Sequence, residues 1–243
     1  MKKLAIFFLL LFTGLNLIAQ KKTSQPLIIQ GRLPNSPERM LKIFFTDDRD
    51  RMIIDTIQLK PDGSFYFKTY NITRPQRTSI QQNRTQINQI YVAPGYELTI
   101  TGDASEHTAL YTSKKVTGIG SQVNAYRVKL DSMYASRVRG KGWYEMDLQE
   151  LLSYTQSARK LQDSIYSSVF TRNTSGDPYF EAFKKMISLD NQSIALYTLF
   201  EHINMNKYSY EKMVKLVAEN TPPAFKTGIS NDSYLNSEDR KPG

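Results

Sequence analysis

Between Leu27 and about Thr117, bulky apolar side chains recur at every second position in short segments separated by turn residues. Leu27-Ile29-Gly31-Leu33 and Leu41-Ile43-Phe45 each place their large residues on one face, the period of a half-buried β-strand. Ile53 to Leu59 and Ser64 to Tyr70 flank Lys60-Pro61-Asp62-Gly63, where Pro presets φ and Gly accepts a positive one, so a hairpin is predicted there. Gln86 to Val92 and Tyr96 to Thr101 flank Ala93-Pro94-Gly95 and predict a second. About seven short strands at this spacing imply an antiparallel β-sandwich. Phe44, Ile54 and Tyr66 add apolar groups on the opposite faces, which predicts that both sides of some strands are covered.

After Gly118 the period lengthens to that of a helix. Ser121 can cap a helix whose apolar positions run Val123, Tyr126, Leu130, Met133 and Tyr134. Asp147 and Glu150 form a capping box ahead of Leu148, Leu151, Leu152, Leu161, Ile165 and Val169. Asp177-Pro178 opens a stretch through Phe183, Ile187, Ile194, Leu199 and Ile203. Ser209 caps a last helix, Tyr210 to Glu219, which Pro222-Pro223 ends. The fold class is therefore α+β, with a sandwich over residues 21–120, a helical region over 121–221 and a loose tail over 222–243.

The first twenty residues stand apart. Lys2-Lys3, an apolar run from Leu4 and a small residue at Ala19 have the order of a secretory signal peptide, with cleavage near Ala19-Gln20. The apolar run is shorter than the roughly 20 residues a membrane span needs. An exported chain in the periplasm or cell envelope is the expectation. Losing Lys2 and Lys3 takes the net charge from +9 to +7. The chain has no Cys and two His, which excludes thiol catalysis, disulfides, Cys-zinc sites and multi-His metal sites. Export without cysteine points to a bacterial source, and the sequons at Asn71, Asn83, Asn173, Asn191 and Asn231 are read as coincidental.

Four features invite a functional reading, and each has a local account. Gly118-Ile119-Gly120-Ser121 opens a helix, but Val123 breaks the dinucleotide fingerprint, leaving a strand-to-helix turn. Asp47, Asp48 and Asp50 lack the Gly and Glu of a calcium loop and sit beside Arg49 and Arg51, so a charged hairpin tip is expected. Arg137, Arg139, Lys141, Trp143 and Tyr144 form the most individual segment, able to grip a phosphate, acidic glycan or lipid headgroup. Locally, the same residues supply a basic helix end, a left-handed cap at Gly140 or Gly142, and a Trp packed between helices. His107 and His202 have no nucleophile motif, and nothing singles out Glu97 and Asp103 as a carboxylate pair. No catalytic residue, cofactor or metal is assigned. The scattered cations form no stripe for nucleic acid.

Asp55-Thr56-Ile57 with Pro61-Asp62-Gly63-Ser64-Phe65-Tyr66-Phe67, Val92-Ala93-Pro94-Gly95-Tyr96-Glu97-Leu98-Thr99-Ile100, and Thr117-Gly118-Ile119-Gly120-Ser121-Gln122-Val123-Asn124 occur in that order after the leader. In this arrangement the chain resembles the N-terminal domain of unknown function that precedes a thioredoxin-like domain in exported Gram-negative TlpA/ResA-like thiol-disulfide oxidoreductases. The resemblance covers Leu27 to Asn124. It implies an envelope location and an accessory role toward a protein partner. The chain departs from that group in lacking any Cys-x-x-Cys and in stopping at Gly243 before a thioredoxin domain, so the redox activity does not carry over. The expectation is a non-catalytic envelope interaction module. The alternative is the front portion of such an oxidoreductase, its catalytic domain lying elsewhere.

Overall fold

The computed structural model describes residues 25–81, 86–136, 141–170 and 176–221. The predicted leader and the predicted tail over 222–243 lie outside them. The chain divides into two compact units after Ser132.

The first unit carries eight strands: β1 (Leu27–Arg32), β2 (Met40–Thr46), β3 (Met52–Gln58), β4 (Ser64–Thr69), β5 (Gln76–Gln81), β6 (Gln86–Val92), β7 (Glu97–Thr101) and β8 (Lys115–Ile119). They form two four-stranded sheets, ordered β4-β1-β7-β8 and β3-β2-β5-β6. The period-two pattern does what it predicts. Leu27 and Ile29, Phe65 and Phe67, and Leu98 and Ile100 are buried on one sheet; Leu41, Ile43 and Phe45, Ile57 and Ile80 are buried on the other. An apolar row on β1, β2, β4 and β7 is thus removed from water, as an α+β fold built on a β-sandwich requires.

Both predicted hairpins are instead crossings between the sheets. The Lys60–Gly63 turn forms, with Gly63 N–H donating to Lys60 C=O at 2.9 Å, but β3 pairs with β2 and β4 with β1. The Ala93–Gly95 turn likewise leads from β6, paired with β5, to β7, paired with β1 and β8. Turn chemistry reverses the chain without deciding whether the next strand pairs beside the first or stacks over it. Gly63, at φ +79°, shows the constraint: a Cβ there would lie 2.3 Å from Leu33 O. β1 and β7 pair in parallel, which their wide separation along the chain permits, while the other five pairings are antiparallel.

Two further differences follow from long-range contacts. Helix α1 (His107–Ser113) lies within the region read as short alternating segments, past the last strand predicted there. Ile54 and Tyr66 are exposed, so the outer faces they occupy are not covered. β8 leads through Gly120 into α2 (Ser121–Ala135), which buries Val123, Tyr126 and Leu130 as expected, while Met133 is exposed. Gly120 has φ +91°, and a Cβ would meet the Tyr96 ring at 2.2 Å.

The second unit holds a short 3-10 turn (Trp143–Glu145) and helices α3 (Leu148–Phe170), α4 (Phe180–Met205) and α5 (Tyr210–Asn220). The capping box forms: Asp147 Oδ1 accepts from Glu150 N–H at 2.8 Å, and Glu150 Oε2 accepts from Asp147 N–H at 3.0 Å. Ser209 caps α5 by accepting from Lys212 N–H. Asp177 caps the turn before α4, accepting from Tyr179 N–H at 2.9 Å, so the helix begins two residues past Pro178. α3 buries Leu151, Thr155, Ala158, Gln162 and Ile165, and it meets α4 where the Tyr166 hydroxyl donates to Lys184 C=O at 3.3 Å and where the Phe170 and Phe180 rings lie 5.3 Å apart. That buried stripe alternates steps of four and three, the spacing of one helix face. It is turned slightly from the expected stripe, leaving Leu161 and Val169 half-buried. Leu199, Ile203 and Leu216 form a smaller core between α4 and α5, with Leu148, Leu152, Tyr208, Met213 and Val217 packed around it.

Candidate functional site

Of the cation-aromatic segment, Arg137 and Arg139 lie outside the described residues. Lys141 is exposed, and its Nζ donates to both Glu150 oxygens, at 3.0 and 2.9 Å. That contact raises the Lys141 pKa above its ordinary value and lowers that of Glu150, each chiefly through the hydrogen bond between them. The ammonium therefore completes the α3 capping box. Trp143 is half-buried and meets the exposed Tyr144 edge-on, ring centroids 5.9 Å apart. Gly142 is not a left-handed helix cap: at φ −63° it opens the 3-10 turn, its N–H donating to Glu145 Oε2 at 2.8 Å.

The acidic loop is a charged hairpin tip between β2 and β3. Asp47 accepts from the Arg49 and Arg51 N–H groups at 2.9 and 3.0 Å and from the Arg51 guanidinium at 2.9 and 2.7 Å. The Arg51 hydrogen bonds hold its carboxyl below the usual range. Asp50 pairs with Arg74. With the Asp47 and Asp50 carboxylates engaged by Arg51 and Arg74, the loop forms the expected charged hairpin tip.

Glu97 opens β7 and Asp103 follows its end, a separation of roughly 20 Å along an extended chain. Paired carboxylate catalysis needs about 5–10 Å. Asp103 accepts instead from Ser105 N–H at 3.0 Å and from Asn35 Nδ2 at 3.2 Å, bonds that lower its pKa. His107 is exposed with its ring against Tyr111, and His202 is buried beside Tyr208 and Asn206. Among the described residues no group of three or more His, Asp or Glu could hold a metal, and no helix is long and apolar enough to cross a membrane.

Pattern reading missed the most unusual chemistry in the chain. The Lys114 side chain is wholly buried and pairs with Asp131 of α2, itself 1% exposed. Arg127, one turn earlier, brings Nε to 2.7 Å from Asp131 Oδ1 and donates from Nη1 to Gln89 at 2.8 Å. Lys114 Nζ also lies 5.2 Å from the Tyr111 ring centroid. Burial pushes the Lys114 pKa below its ordinary value, against the pull of Asp131. Such a group marks many active sites, but substrate cannot reach an ammonium without exposed surface. The cluster binds the α1–β8 junction to α2. Beside it the buried Asn124 reads the edge of β6 as a strand would: Oδ1 accepts from Tyr91 N–H and Nδ2 donates to Tyr91 C=O, both at 2.9 Å, and to Gly120 C=O at 3.0 Å. Only the i, i+4 spacing of Arg127 and Asp131 signalled any of this; the partners lie far off along the chain.

On α4 the stripe that buries Phe183 and Ile187 continues to Ile194, a heptad after Ile187, and to Tyr197. Pattern reading expects Ile194 inside, yet it is 45% exposed and Tyr197 64%. Comparison with known proteins adds no relative: no family model, no curated protein and no solved structure matches the chain.

Proposed function

We propose that this chain is an exported, non-catalytic protein of the bacterial cell envelope that works by binding another protein, as its resemblance to an accessory N-terminal domain implies. The supporting observation is the uncovered continuation of the α4 seam at Ile194 and Tyr197. An apolar stripe that is buried along half a helix and bare along the rest costs solvation unless a partner closes over it. The location rests on the leader at Met1–Gln20.

A photo-crosslinking residue placed at 194 or 197 in producing cells is expected to give one adduct of discrete mass, while the same residue at the exposed position 185 gives none. The recovered chain is expected to begin after Ala19. Absence of an adduct at 194 and 197, or equal adducts at all three positions, overturns the binding role; an intact leader overturns the location.

A further inference from the structure

Two stacked sheets have four edges, and an open edge invites strand addition. β6 is closed by the Asn124 amide at Tyr91. β4 carries Lys68, and β8 carries Lys115 and a Gly118 at φ +96°. β3 has none of these devices. It is seven residues long, Met-Ile-Ile-Asp-Thr-Ile-Gln, without Pro, Gly, Lys or Arg.

The register says which groups it offers. Asp47 N–H donates to Arg51 C=O, and Leu59 N–H to Arg39 C=O, at the two ends of the β2–β3 ladder. Alternation then assigns residues 53, 55 and 57 to bonds with β2 and turns the main-chain groups of Met52, Ile54, Thr56 and Gln58 toward the open edge. Met52 and Ile54 are 69% and 56% exposed, and Ile54 stands opposite Phe44 on the outer face. Such an edge is self-complementary: a second copy, antiparallel about a two-fold axis, would extend the ladder and join the two apolar rows.

Asp55 interrupts this. It occupies the inward row of Ile53 and Ile57, where an apolar residue belongs, yet it is exposed. Its Oδ1 accepts from Thr56 N–H at 2.7 Å, one of the donors the open edge would offer. We infer that Asp55 is a guard: by occupying the Thr56 N–H and setting a negative charge against any incoming carbonyl, it keeps β3 from pairing with β3 of a second copy. The inference is independent of the partner-binding role proposed above.

Sedimentation of the full chain across a concentration series tests it. Asp55→Thr, which suits a strand and removes the carboxylate, is expected to tighten self-association about tenfold or more. Adding Ile54→Lys on the outer face should abolish that gain, and Asp55→Asn, which keeps the acceptor but not the charge, should fall between. Circular dichroism confirms that each variant is folded. Self-association of Asp55→Thr no stronger than wild type overturns the guard, as does a gain that Ile54→Lys leaves intact. Should Asp55→Thr not fold, Asp55→Asn decides alone: association no tighter than wild type overturns the guard.

Discussion

Asp131→Ala is expected to destabilise the first unit by about 3–5 kcal/mol, because it leaves the Lys114 ammonium buried without its counter-charge. The cost is larger than that of a surface pair because Lys114 has no exposed side-chain area through which water could substitute. The loss should depend on pH in a set direction. Burial lowers the Lys114 pKa below the 10.5 of an ordinary lysine, and removing Asp131 takes away the contribution that opposed this. Between the lowered folded value and 10.5 the unfolded chain binds more protons than the folded one, so stability rises with pH there. Denaturant titrations at neutral pH and near pH 10 should therefore show Asp131→Ala partly recovering on the alkaline side. Lys114→Met combined with Arg127→Met and Asp131→Leu should lie much nearer wild type than Asp131→Ala, since all three charges are then removed together with their desolvation cost. A single variant as stable as wild type at neutral pH would show that the pair holds nothing together.

Asn124→Leu keeps the branching of the side chain and removes the amide. It is expected to cost about 2–4 kcal/mol, because Tyr91 N–H, Tyr91 C=O and Gly120 C=O each lose a bond inside the protein. Hydrogen exchange makes the assignment specific. The Tyr91 amide should exchange much faster in the variant, while amides in the β1–β7 ladder change only as far as global stability does. Unaltered exchange at Tyr91 would mean that the contact contributes nothing to holding α2 on the sheet.

These two clusters also show where reading by pattern stops. Asn124 and Lys114 look like ordinary polar residues in the chain, and hydrophobic periodicity assigns them no role. Their partners lie 33 and 17 residues away. By contrast the Asp147/Glu150 capping box and the Ser209 cap were legible, because donor and acceptor are three residues apart. The helix stripe was legible in period but not in cover: Phe183, Ile187 and Ile194 are equivalent by spacing, and only the packing of neighbouring elements separates the buried pair from the exposed third. In the cation-aromatic segment, residue types suggested a ligand surface at Lys141, Trp143 and Tyr144. The contact with Glu150 commits Lys141 to the start of α3.

Taken alone, the order of residues determines that one face of several strands in the first half is apolar, where the turns and several helix starts fall, and that thiol chemistry is unavailable. Those properties depend on side-chain alternation, on local hydrogen bonds and on composition, none of which reaches more than a few positions along the chain. Tertiary structure decided that the two Pro- and Gly-containing turns cross between sheets, that β1 lies parallel to β7, and that β3 ends its sheet with no further strand beside it among the described residues. It also placed a lysine and an aspartate together out of water. Pairing and burial are settled by which distant surfaces exclude solvent most completely, and that competition is played over the whole unit.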